Sequence, residues 1–167
     1  DTAAFASNMP LLHPPGSTWS YSSGTTNIIC RILRDIIGNG ANGMLDFMRD
    51  ELFEPIGMTS ATPKFDNANT FIGSSFLFAT AQDFARFGLL YLRNGVWQGQ
   101  QILPPGWVDY ARSPIHNDGE FCYGAHWWMH PQHSQWFYAS GFHGQRIMCI
   151  PEKDAIIVRL GRTDISQ

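Results

Sequence analysis

The sequence predicts an α+β fold, with helices first and an antiparallel sheet last. Two observations carry this expectation. Apolar residues recur at spacings of three and four between positions 28 and 91, then give way after Pro114 to short β-branched and aromatic runs. The helical and strand-like runs are also segregated along the chain and do not alternate, which argues against βαβ units and a parallel sheet.

Residues 1–24 are rich in Pro, Ser and Gly around Leu11-Leu12-His13-Pro14-Pro15-Gly16, a turn signal. Ile28, Ile29, Ile32, Leu33, Ile36 and Ile37 then mark one apolar helix face, which Gly38 or Gly40 can end. Asn42 can cap a second helix carrying Met44, Leu45, Met48 and Leu52, which should stop before Pro55. Residues 59–79 read as irregular. Thr80 and Asp83 resemble a capping box for a helix from Ala81 that carries Phe84, Phe87, Leu90 and Tyr91, with Gly95 near its end. Pro104-Pro105-Gly106-Trp107 opens a short helical turn toward Ala111. Tyr123–Met129, Gln135–Ser140, Gln145–Ile150 and Ala155–Leu160 read as strands.

The 167 residues are 44% hydrophobic, enough for a packed core, and only 15% are charged. The net charge is −3 and the only lysines are Lys64 and Lys153, so a nucleic-acid partner is not expected. No apolar run reaches the roughly 18 residues of a membrane helix, so no membrane span is expected. Cys30, Cys122 and Cys149 are widely spaced without a zinc-type pair, and read as three free, mostly buried thiols.

Three places could carry chemistry. Trp19-Ser20-Tyr21-Ser22-Ser23-Gly24 lies just before the Ile-rich helix, where a Tyr and a Ser two apart can project into one cleft. A Tyr hydroxyl acts as a base near neutrality only beside cations or in a strong hydrogen-bond network; the plainer alternative is a Ser-rich cap with a packed Tyr. Gly141-Phe142-His143-Gly144-Gln145 opens a predicted strand, whose backbone could bind an extended acyl group; the alternative is a bulged strand with a surface His. His126, His130 and His133 would suit a metal only on a helix. Trp127, Trp128 and Pro131 argue for a strand running into a turn, so neither a metal nor another cofactor is expected.

Four landmarks in order, PPGSTWSYSSG, LFEPIGM, TAQDFARFGLLYLRNGVWQGQQILPPGW and FYASGFHGQ, resemble the serine β-lactamase-related hydrolases. That family includes class C β-lactamases, DD-peptidases, β-lactamase-fold esterases and 6-aminohexanoate-dimer hydrolases. Its three elements are Ser-x-x-Lys on a helix, Tyr-x-Asn or Tyr-Ser-x, and a Lys-Thr-Gly or His-Thr-Gly type strand. Tyr21-Ser22-Ser23 matches the second, with Ser23 in place of Asn. Phe142-His143-Gly144, or His143-Gly144-Gln145 one residue later, matches the third. Ala61 and Ile150 stand three residues before the two lysines, so Ser-x-x-Lys is absent from these residues.

The resemblance therefore implies the C-terminal part of the β-lactamase/DD-peptidase fold, with about 25–113 mainly helical and about 120–165 antiparallel strands of the sheet. It implies a serine hydrolase acting on a small-molecule ester or amide through an acyl-enzyme, with the nucleophile outside this sequence. Tyr21, Ser23 and His143 would be catalytic, and Phe142, Gly144 and Gln145 substrate-binding. The Gln145 N–H would supply half of an oxyanion hole. Alone, the chain should be inactive, and a missing N-terminal segment or a partner chain should cover an open apolar face. The alternative is a non-catalytic binding protein on the same fold.

Overall fold

The computed structural model describes residues 1–163, with Ser134 as backbone only. The last two positions of the expected strand region, 164 and 165, lie outside the described residues. The chain divides into two compact units, one of residues 1–54 and 60–79, the other of 55–59 and the chain from 80 onward.

The first unit is built on helices. A short helix α1 (Thr2–Ser7) starts at Asp1, whose side chain accepts from the Ala4 N–H. The Pro/Ser/Gly bias of residues 1–24 hides this helix. The Ile-rich periodicity forms α2 (Ser23–Ile37), ended by Gly38 at positive φ. The two helices cross closely at Gly24, where a Cβ would lie 2.9 Å from that of Ala6. Asp66 ties α1 to the following loop, taking bonds from the Thr2 N–H at 2.7 Å and from the Ala68 and Thr70 N–H groups at 2.9 Å each. Arg34 donates to the Ala68 carbonyl and to Thr70 Oγ1.

The next helix, α3 (Gly40–Met48), is capped by left-handed Asn39, not by Asn42. It also fails to stop before Pro55. It widens into a π-turn at Arg49–Phe53 and continues as the single turn α4 (Glu54–Ile56). The wider turn separates the proline ring from the carbonyl it meets in a regular α-helix. The segment expected to be irregular holds a small antiparallel pair, β1 (Thr62–Pro63) with β2 (Leu77–Phe78).

The second unit sets one helix on a sheet. α5 (Ala81–Leu92) begins as expected, with Thr80 accepting from the Asp83 N–H. A small hairpin, β3 (Val96–Trp97) with β4 (Gln100–Gln101), and α6 (Trp107–Ala111) follow. The sheet is a six-stranded meander: β5 (His116–Asn117), β6 (Cys122–Tyr123), β7 (Trp128–His130), β8 (His133–Ser140), β9 (Arg146–Ile150) and β10 (Ala155–Arg159), each pairing antiparallel with its sequence neighbour. The expected single strand Tyr123–Met129 is two strands, because the chain turns at Gly124 and left-handed His126. At Gly124 a Cβ would lie 2.3 Å from the Ala111 carbonyl oxygen.

α5 lies against β9 and β10. Trp127 is the centre of this core, 4.5 Å from Tyr91 and edge-on to Phe137 at 5.1 Å. Cys149 is fully buried and its thiol donates to the Gly88 carbonyl at 3.6 Å; burial raises its pKa to about 12. All three cysteines are buried and free.

Candidate active site

Tyr21 and Ser23 flank the N-cap residue Ser22 at the head of α2. Ser22 stands at the N-cap in extended conformation without a side-chain cap bond, and the first turn holds no acidic residue. The first N–H groups of this 15-residue helix therefore lack a side-chain cap, and the end carries the partial positive charge of the helix. Tyr21 is 59% exposed, with the Trp19 ring centred 6.5 Å from its own. Ser23 is exposed on the first helical turn.

Beside them lies an open groove of about 660 Å³, walled by Phe5, Ala6 and Met9 from α1 and its continuation and by Ser22, Ser23 and Asn27 from α2. The sequence reading missed the α1 wall and Asn27. The signal for the wall was Asp1 followed by an Ala/Phe run, a short capped helix; Asn27 showed itself only as a polar residue among the isoleucines.

Phe142, His143, Gly144 and Gln145 share the second unit. They do not open a strand as expected. Phe142–Gly144 is a 3₁₀ turn joining β8 to β9, which starts at Arg146. Two successive left-handed residues, His143 (φ 57°) and Gly144 (φ 78°), make this reversal. A Cβ at Gly144 would be strained at that φ and would lie 3.1 Å from Arg159 Nη1, so local backbone geometry alone requires the glycine.

The His143 conformation is held from outside: its carbonyl accepts from the Thr163 N–H at 3.0 Å, and its Nδ1 lies 3.3 Å from the Thr163 carbonyl. A carbonyl only accepts, so Nδ1 carries the proton and the neutral ring keeps Nε2 as acceptor. Phe142 is 75% exposed. The Gln145 N–H faces the Phe142 carbonyl at 3.5 Å, a long bond. Non-glycine left-handed residues cost energy and cluster at functional sites.

His126, His130 and His133 do not share one helix face. His126 sits in the β6–β7 turn, whereas His130 pairs with His133 across the β7–β8 hairpin. Among the described residues no three His, Cys, Asp or Glu side chains group as metal ligands would. Among them, too, no helix is long and apolar enough to cross a membrane.

The family model for beta-lactamase matches residues 1–165. The chain belongs to the beta-lactamase family. Within that family it is 30% identical over 92 residues to the 6-aminohexanoate-dimer hydrolase of Paenarthrobacter ureafaciens, covering 48% of this chain and 24% of that one. Among solved structures, a Bacillus anthracis protein assigned as a 6-aminohexanoate-dimer hydrolase superposes with a TM-score of 0.81 at 30% identity, covering 94% of this chain and 42% of its own. A Bacteroides dorei protein assigned as a beta-lactamase shares the fold, with a TM-score of 0.69 at 15% identity over 94% of this chain and 56% of its own. The chain thus spans less than half the length of the two 6-aminohexanoate-dimer hydrolases it matches. Its helices and antiparallel sheet follow the β-lactamase fold.

Proposed function

We propose that these residues are the C-terminal part of a serine hydrolase that cleaves an ester or amide through an acyl-enzyme. The observation that carries the reading is Tyr21 exposed at an uncapped helix head, in a chain of the beta-lactamase family. A Tyr hydroxyl at the rim of an open groove can relay a proton between a nucleophile and a leaving group.

In this reading a serine from the segment preceding Asp1 attacks the substrate carbonyl. Its Oγ–C bond forms, the C–N or C–O bond breaks, and Tyr21 relays the serine proton to the leaving group. Water then attacks the acyl carbon, releasing the acid and returning a proton to the serine. Ser23 bonds the substrate or the lysine of the nucleophile motif. His143 offers Nε2 as an acceptor to the substrate, Phe142 and Gly144 line its acyl side, and the Gln145 N–H turns to the oxyanion. The two relatives named 6-aminohexanoate-dimer hydrolases favour a linear amide over a β-lactam.

The proposed partner is the segment preceding Asp1. Ile29, Ile32, Leu33 and Ile36 fall at helical spacing along α2 and are 45%, 53%, 44% and 76% exposed, a stripe that such a segment would cover. The strand residues Phe137 and Ile147 are buried within the second unit and need no such cover.

The test is to read the sequence upstream of Asp1 for Ser-x-x-Lys and to assay the longer chain with a linear amide, a p-nitrophenyl ester and nitrocefin. Tyr21→Phe should then lower kcat by about 10²–10⁴-fold with little change in KM. An unchanged kcat would return Tyr21 to packing.

A further inference from the structure

Asn27 lies one turn into α2, where the groove meets the helix, and is 6% exposed. Its Oδ1 is enclosed, and has no hydrogen-bond partner among the described residues. Buried polar groups are nearly always paired, so an unpaired buried carboxamide oxygen at a groove marks a donor still to arrive. Ser23 and Asn27 are four residues apart, so they share one helix face. The opposite wall is apolar, and Phe5 and Met9 are 72% and 55% exposed. The exposed stripe Ile29–Ile36 continues farther along the same helix.

These features narrow the occupant. An aliphatic ligand would cover Phe5 and Met9 but leave the carboxamide unpaired. A small ion would pair the carboxamide but leave both side chains exposed. A linear amide substrate would do both only while it is bound. A polypeptide segment does both in the resting protein, through apolar side chains and a peptide group whose N–H can donate to Asn27 Oδ1.

We propose that the groove at the head of α2 docks a polypeptide segment of the same hydrolase, from outside these 167 residues, and that Asn27 hydrogen-bonds its backbone. This rests on the reading of the chain as part of a longer hydrolase. The Bacillus anthracis neighbour, of whose chain only 42% is covered, shows how much further polypeptide the fold includes.

The test is a reversal of sign. Asn27→Leu, which keeps the number and branching of the side-chain heavy atoms and removes their polarity, is melted both in the longer protein and in residues 1–167 alone. In the longer protein it should lower Tm by about 2–4 °C, because the segment's peptide group loses its partner. In residues 1–167 it should raise Tm by a similar amount, because an unpaired buried group is removed. A fall in both would place the partner of Asn27 inside this chain, and an unchanged or raised Tm in the longer protein would show that no segment bonds it; either overturns the proposal. If residues 1–167 do not melt cooperatively, a scalar coupling across the hydrogen bond, from a backbone amide nitrogen outside these residues to the Asn27 side-chain carbonyl carbon, is read by NMR in the longer protein. Its presence is expected, and its absence, or a coupling to an amide within residues 1–167, overturns the proposal. A preceding segment without Ser-x-x-Lys would end the catalytic reading while leaving this test unchanged.

Discussion

Acid should loosen the corner where α1 meets the loop after β1, and Asp66 is the cause. Its carboxylate is 7% exposed. It accepts from the Thr2 N–H and hydroxyl on one oxygen and from the Ala68 and Thr70 N–H groups on the other. Burial pushes its pKa up, but these bonds together outweigh burial and leave it at about 2. Because the folded value is depressed, the stabilisation is fully present above the unfolded value, about 3.9, and is lost as pH falls toward 2. A shift of nearly two units corresponds to about 2 kcal/mol. Asp66→Asn should remove a comparable amount at neutral pH, since its amide group would face the Thr2 donors and leave the Thr2 N–H unpaired. The assay is hydrogen exchange of the α1 amides between pH 2 and 5 in both proteins. The wild type should lose protection across this range, whereas the Asp66→Asn variant should be weaker throughout and nearly flat. The same acid slope in both proteins would refute the assignment to Asp66.

Two further outcomes can be checked directly. Gly88→Val should destabilise the second unit by about 1–3 kcal/mol, because a Cβ there would lie 2.9 Å from Ile147 Cγ2 and 3.0 Å from Ile156 Cγ2; an unchanged thermal melt would show that α5 can lift off the sheet. Residues 1–167 incubated with a fluorophosphonate or a penicillin should show no covalent adduct by intact mass, since they lack Ser-x-x-Lys, and a stoichiometric adduct on any serine would contradict the assignment of the nucleophile to another segment.

Strong local signals made much of the fold legible. α2 and α5 announce themselves by apolar spacing, and α5 also by Thr80 and Asp83. β8 to β10 follow from β-branched and aromatic runs separated by Pro151–Asp154. The misreadings occur where one residue reverses the chain against its neighbours' propensity. His126 splits an aromatic run that otherwise reads as one strand. His143 and Gly144 turn a glycine-flanked strand start into a tight reversal. Pro55 is tolerated because the preceding turn widens, which no residue spacing reveals. Tyr21 and Ser23 stood out as candidates through their motif. Asn27 did not, because a buried, unpaired carboxamide oxygen is recognised only once its surroundings are known.

The order of the six-stranded sheet has a kinetic consequence. Every strand pairs with the one before it in sequence. Among the described residues no pairing has to wait for a distant piece of chain, so the entropy lost in closing each loop is small and the search for these pairings is short. Hairpins of this kind form in about 1–10 μs. The sheet should therefore condense from its own end of the polypeptide, strand by strand, and reach its register early in folding.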